Sequence, residues 1–146
     1  QALFLFSHHM KFGKEQNEDT FVRDYMKWIG HSEFGLDYKM IHPSNLLYPN
    51  EKEFNHWLEQ WYLTYKAVLE LSVEHDEFYL IGYESLCNNP KVWVNLKDLL
   101  GINQEIKFLF TESKKNIGQN FDNDLSKECY NLYDSLMDMS LVLKRR

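Results

Sequence analysis

Along most of this chain the apolar residues recur at three- and four-residue intervals, the spacing of a helix with one buried stripe. The clearest stripe follows Asn50: Phe54, Trp57, Leu58, Trp61, Tyr65, Val68, Leu69 and Ser72 share a face, with Glu, Gln, Lys and Asn largely opposite. Asn50 reads as the cap of this long helix. Val22, Tyr25, Met26 and Ile29 form a shorter stripe at i, i+3, i+4 and i+7. The cluster Asn17-Glu18-Asp19-Thr20 supplies its cap and first-turn acids, and Gly30 ends it. A further helix opens with Asn89 as cap and Pro90 at the first position, where the missing N–H costs nothing. It buries Val92, Trp93, Leu96, Leu99 and Leu100 and stops at Gly101. A last helix, from about Asp124, packs through Leu125, Cys129, Leu132, Tyr133, Leu136 and Leu143.

Three stretches depart from this period. Phe78-Tyr79-Leu80-Ile81 is a short continuous apolar run ahead of Gly82-Tyr83-Glu84, which suits a strand buried on both faces. Residues outside the end of such a strand are where α/β sheets bind ligands. Tyr83 could offer its ring and hydroxyl to a ligand there, or simply pack. The opening Gln1–Phe12 is apolar and then basic, with Gly13 as a helix stop; Leu3–Phe6 reads equally as helix or as a second strand. His31 to Asn50 carries two prolines and scattered aromatics and reads as a long loop, which in a compact domain is usually functional or mobile. Ile102 to Phe121 is irregular and holds the basic pair Lys114-Lys115. The expected fold is a single domain over residues 1–146, predominantly α with one or two short strands.

Composition narrows the chemistry. Hydrophobic residues make up 44% of the chain and aromatics 16%, enough for a packed core and too many for disorder. A formal charge of −6 argues against a general nucleic-acid binder but leaves room for one nucleotide in a basic pocket. The two cysteines, Cys87 and Cys129, form no CxxC and no disulfide framework, as in a reduced, cytoplasmic protein. No apolar run reaches the roughly 18 residues that a membrane span needs. Among the six histidines, His8 and His9 are adjacent and point about 100° apart on a helix, while His31, His42, His56 and His75 lack HxH or HxxxH spacing. No metal site is expected. No GxSxG serine, cysteine signature or Walker-type glycine loop is present, so no catalytic residue is assigned.

The motifs taken together carry a resemblance. Trp57, Trp61, Tyr65 and Val68, then Tyr83-Glu84-Ser85-Leu86, Asn89-Pro90, Trp93, Leu96 and Leu100, follow one another as in the later section of the sulfotransferase family. Gln1-Ala2-Leu3-Phe4-Leu5-Phe6-Ser7-His8-His9 is similar to an earlier helix of that family. The run Phe21-Val22 through Tyr25-Met26-Lys27-Trp28-Ile29-Gly30-His31 to Glu33-Phe34-Gly35 is similar to the piece after it.

The resemblance implies the later, C-terminal portion of an α/β, P-loop-like fold. Its activity would be transfer of a sulfuryl group from 3′-phosphoadenosine 5′-phosphosulfate to a hydroxyl or amine of a small-molecule or glycan acceptor. It further implies cofactor contacts from Tyr83 near the nucleotide, and from Ser7, Lys114 and Lys115 near the 3′-phosphate. The family's phosphosulfate loop, its catalytic His or Glu and the Arg of its R-x-P element would all precede Gln1. Phe4 stands where the family has the serine that partners this Arg; Ser7, one turn on, shares the same helix face. The chain is therefore expected to supply only part of a site, to be inactive alone and to be the later part of something longer. The alternative is a non-catalytic, mainly helical interaction or assembly module. Either way, a lone strand at Phe78–Ile81 would need a partner edge, so a homo-oligomer or a missing N-terminal half is expected.

Overall fold

The computed structural model describes residues 1–75, 77–103, 111 and 121–140, and among these every regular element is a helix. The elements are α1 (Ala2–Glu18), α2 (Thr20–Trp28), α3 (Phe54–Glu74), α4 (Tyr83–Asn88), α5 (Pro90–Leu99) and α6 (Asn123–Met139). They divide between two compact units: residues 1–67 with 117–129, and residues 68–116 with 130–146.

In the first unit the open choice at Leu3–Phe6 resolves as helix. α1 also runs on through Gly13 to Glu18 rather than stopping at the glycine. The last turn is tied down by Gln16, whose side chain is 1% exposed and whose Oε1 accepts the Leu36 N–H at 2.8 Å. That anchor outweighs the roughly 0.5–1 kcal/mol penalty of a glycine inside a helix. The break before α2 is a single residue: Asp19 is extended, and its Oδ1 caps the Phe21 N–H at 2.8 Å. Gly30 closes α2 with φ +70°, its own N–H donating to Lys27 O and the His31 N–H to Met26 O. That pair of bonds satisfies the last carbonyls of the helix and needs the left-handed conformation glycine tolerates.

Residues 31–50 form the long irregular segment that the sequence suggests. Asn50 does not cap α3 directly. Its Oδ1 accepts the Lys52 N–H and its Nδ2 donates to Glu53, building a turn, and the helix starts four residues later at Phe54. The Trp57 indole N–H closes this turn onto Glu51 O at 2.8 Å. Phe54, Trp57, Ala2, Met26, Leu125 and Cys129 make the buried apolar core of this unit, with Phe6 edge-on to Phe54. The start of α6 joins it through Asp122, whose N–H donates to Asn55 and whose Oδ1 accepts the Leu125 N–H.

In the second unit the expected strand is absent. Phe78–Ile81 has no strand partner among the described residues, and Phe78 and Tyr79 are more than half exposed. A strand buried on both faces needs a ladder on at least one side, and Leu3–Phe6, the other stretch that reads as a strand, is helical. The Phe78 N–H instead donates to the His75 carbonyl at 3.2 Å, in a local turn. The P-loop-like α/β portion of the expected fold accordingly finds no support; the predominantly α portion holds. At Gly82 the segment passes so close to α6 that an added Cβ would sit 2.6 Å from Met137 Sδ, which accounts for the glycine. α4 then begins at Tyr83. α5 follows the local chemistry of its sequence: Asn89 Oδ1 caps Lys91 N–H, Pro90 stands at the first position, Val92 is buried, and Gly101 closes the helix with φ +65°. Leu132 and Leu136 of α6 are buried as their spacing suggests. Leu143 lies outside the described residues.

Candidate ligand pocket

The first half of the α3 face opposite the aromatic stripe is buried. His56, Glu59 and Gln60 are all buried, and each holds backbone of the 31–50 segment. The two oxygens of Glu59 accept the N–H groups of Leu47 and Tyr48, at 2.8 and 2.9 Å. Gln60 pairs with His42 as a second backbone would, accepting its N–H at 3.0 Å and donating to its carbonyl at 2.9 Å. His56 Nδ1 lies 2.8 Å from the Tyr48 carbonyl, which can only accept, so Nδ1 carries the proton. Its Nε2 lone pair is then left to accept the Tyr38 hydroxyl proton at 2.9 Å. A long segment without regular structure has backbone groups that must find partners, and these three side chains meet that demand.

α1 contributes the other half of the grip. His9 and Gln16 stand two turns apart on one face and take consecutive backbone N–H groups, those of Gly35 (3.3 Å) and Leu36 (2.8 Å). Gly35 adopts φ +81°, and a Cβ there would overlap the Gln16 side chain, so this close approach requires glycine. The rings close in behind: Trp57, 3% exposed, packs against His9, Phe34, Tyr38 and His56 at centroid distances of 5.1, 6.1, 4.8 and 5.5 Å.

Between the start of α1, residues 32–41 and α3 this arrangement leaves a cavity of ≈ 420 Å³. Five rings line it, those of Phe34, Tyr38, Trp57, Trp61 and Tyr65, along with Leu5, Met40 and Ile41. Gln1, Ser32, Gln60 and Thr64 add polar atoms, and Glu33 and Lys39 add one charge of each sign. Its volume and its mix of apolar walls with a few polar groups are those of a small-molecule site. Much of the polar lining is already committed: Tyr65 donates to Gln1 Oε1 at 2.6 Å and Thr64 to Gln60 O at 2.7 Å. Burial, with a smaller push from the Glu51 carboxylate, raises the Tyr38 phenol to about 12, so it stays a neutral donor to His56 at ordinary pH. Burial likewise lowers His9 from its ordinary 6.5, keeping it the neutral acceptor that Gly35 requires.

The residues singled out from sequence fall elsewhere. Ser7 is exposed on α1 in the first unit. Phe4, one turn earlier, is half exposed and packs its ring on His8. Tyr83 belongs to the second unit; its hydroxyl donates to Thr111 O at 3.2 Å, and burial pushes its phenol above the ordinary tyrosine value. Lys114 and Lys115 lie outside the described residues. A phosphosulfate or 3′-phosphate needs converging N–H donors and basic side chains. Of the residues expected near the nucleotide, Ser7 lies in the first unit and Tyr83 in the second. No family model, no curated protein and no solved structure matches the chain. Among the described residues no helix is long and apolar enough to cross a membrane, and no three His, Cys, Asp or Glu side chains converge as metal ligands. Sequence reasoning did mark residues 31–50 as a segment of functional length. The ring-lined cavity carries no sequence signal of its own, because Trp57, Trp61 and Tyr65 fall at the spacing of an ordinary buried helix stripe.

Proposed function

We propose that the chain is the acceptor-binding portion of a sulfotransferase-like enzyme, holding a small ring-bearing hydroxyl or amine compound in the cavity of its first unit. The observation that carries this reading is the cavity itself. One wall comes from residues 32–41 of the long irregular segment, the stretch a sulfotransferase-like order of motifs leaves for shaping an acceptor site, and the other is the Trp57/Trp61/Tyr65 stripe of that same resemblance. Flat aromatic walls favour flat ligands, through offset or edge-on ring contacts worth about 0.5–1.5 kcal/mol each beyond area burial. The phosphosulfate donor would be bound by groups other than the described residues. Titrating the protein with indole or 2-naphthol while following tryptophan emission tests the reading. Saturable quenching that disappears in Trp61→Ala is expected; no saturation up to the solubility of either compound would sink it.

A second reading, the non-catalytic assembly module, is favoured by one feature. On α2, Phe21 and Trp28 are 73% and 80% exposed and form a ladder with Tyr25, ring to ring at 6.0 Å. If this ladder joins two copies, light scattering will show a concentration-dependent dimer that Trp28→Glu abolishes. A monomer at all concentrations removes the support for this reading.

A further inference from the structure

Three bonds hold the wall of the cavity, Leu36 to Gln16, Tyr38 to His56 and Gly35 to His9, and the last is one that a single proton can break. Phe34 and Tyr38, one residue before and three after Gly35, line the cavity, and the Gly35 N–H between them donates to His9 Nδ1 at 3.3 Å. His9 is 7% exposed, with the Tyr38 and Trp57 rings packed on it at 5.2 and 5.1 Å. An imidazolium carries N–H on both nitrogens and accepts nothing, and a backbone N–H only donates. Once His9 is protonated, two donors confront each other in a buried site, and neither can turn into an acceptor. The other histidine of the network differs: Tyr38 can rotate its hydroxyl and accept from His56 as readily as it donates to it.

We propose that His9 is an acid-sensitive clasp on the cavity, releasing the Phe34–Tyr38 wall when it takes up a proton and so weakening ligand binding at mildly acid pH. This regulation rests on the cavity being the ligand site. The groups facing His9 set the balance. Glu51, from the turn before α3, favours the proton; Lys52 from the same turn and His56 from α3 oppose it; Tyr38 and the Gly35 backbone from the wall supply no negative charge. Desolvation is the largest influence and keeps His9 neutral while the wall is closed. An opened wall rehydrates the ring and returns it toward 6.5. The sign follows: below about 6.5 the open form binds a proton that the closed form refuses, so acid favours opening and neutral pH favours closure. Gln16 does not titrate, so its bond to Leu36 remains as the tether on which the wall swings.

Amide hydrogen exchange by NMR reads the clasp with no ligand present. Between about pH 7.5 and about pH 5, the protection factors of Gly35 and Leu36 should fall roughly tenfold while amides in the middle of α3 keep theirs, with a midpoint matching the His9 ring titration. In His9→Asn, which retains an acceptor at the Nδ1 position but cannot titrate, the step should vanish. Indole affinity, measured by tryptophan quenching, should weaken about tenfold over the same interval in the wild type only. Flat protection at Gly35 and Leu36, or a midpoint apart from that of His9, overturns the clasp even if the variant does not fold. Indole that binds equally at both pH values overturns the regulation and leaves the pocket standing. Indole that binds at neither overturns the pocket and the regulation with it.

Discussion

Single residues in this protein act mostly by what they do for backbone. Glu59 illustrates it: a carboxylate 6% exposed has no basic partner among the described residues and instead accepts two consecutive N–H groups, those of Leu47 and Tyr48. Bonds from an ionised acceptor to a backbone donor are about twice as strong as neutral ones. Glu59→Gln keeps the shape but replaces one acceptor oxygen with an NH₂ that faces an N–H. Leaving one buried donor unsatisfied costs about 1–3 kcal/mol, so that loss is expected in urea melts. A variant within about 0.5 kcal/mol of wild type would mean that the segment is not anchored here. Tyr38 provides an optical check on the same network. Tyr38 should ionise late in a 295 nm titration, near its value of about 12, and Tyr38→Phe should remove that late step. Because this phenol is raised by folding, the stability it contributes is intact below pH 10 and is lost as the pH climbs toward 12.

Elements whose ends are decided by local chemistry were legible from sequence, and those decided by a distant partner were not. Gly30, Gly101, Asp19 and the Asn89-Pro90 pair cap the helices they were expected to cap, because a left-handed glycine or a capping carboxamide acts within four residues. Gly13 looked like the same kind of signal and was not. Its helix continues because Gln16 binds Leu36, twenty positions along the chain. The apolar run Phe78–Ile81 misled for a related reason: four residues have no readable period, and a strand is defined by a neighbour that the run itself cannot reveal. Polar residues on a helix are normally assigned to water, and Glu59 and Gln60 reverse this only because the irregular segment lies against them. Helix α1 gives a direct test. Gly13 has no positive φ, and a Cβ there would meet only Gly35 Cα at an ordinary 3.9 Å, so Gly13→Ala should stabilise by about 0.5–1 kcal/mol. In Gly35→Ala, where φ is +81° and the space is filled by Gln16, stability should drop instead. On α3, Trp57→Ala should cost about 3–5 kcal/mol as a core truncation. Trp61→Ala removes a half-buried ring from the cavity wall, so it should cost less and chiefly lower ligand affinity. Equal losses at the two tryptophans would show that the cavity wall is core.

For the molecule as a whole, the proposed function divides into an acceptor cavity and a nucleotide site. Ring contacts and a shaped cavity bear on an acceptor, whereas a nucleotide with two or more phosphate charges needs a concentrated set of donors. The chain opposes such a ligand with a net charge of −6, and its described candidates are one exposed serine and a tyrosine whose hydroxyl is already engaged with Thr111. Contacts that sparse must still offset roughly 4–15 kcal/mol of lost ligand freedom. Binding of 3′-phosphoadenosine 5′-phosphate should therefore be no tighter than about millimolar, or about −4 kcal/mol, and no sulfate should be transferred by the chain alone. Calorimetry with the nucleotide, run beside the indole titration on the same preparation, separates the two halves of the proposal. Indole binding without nucleotide binding is the expected pair of results. Micromolar nucleotide affinity would place a phosphate site within this chain, and the simultaneous change of Lys114 and Lys115 to alanine would then decide whether those two lysines hold it. Loss of binding in that variant would restore their role near the 3′-phosphate, and unchanged binding would move the site to Ser7 or Tyr83.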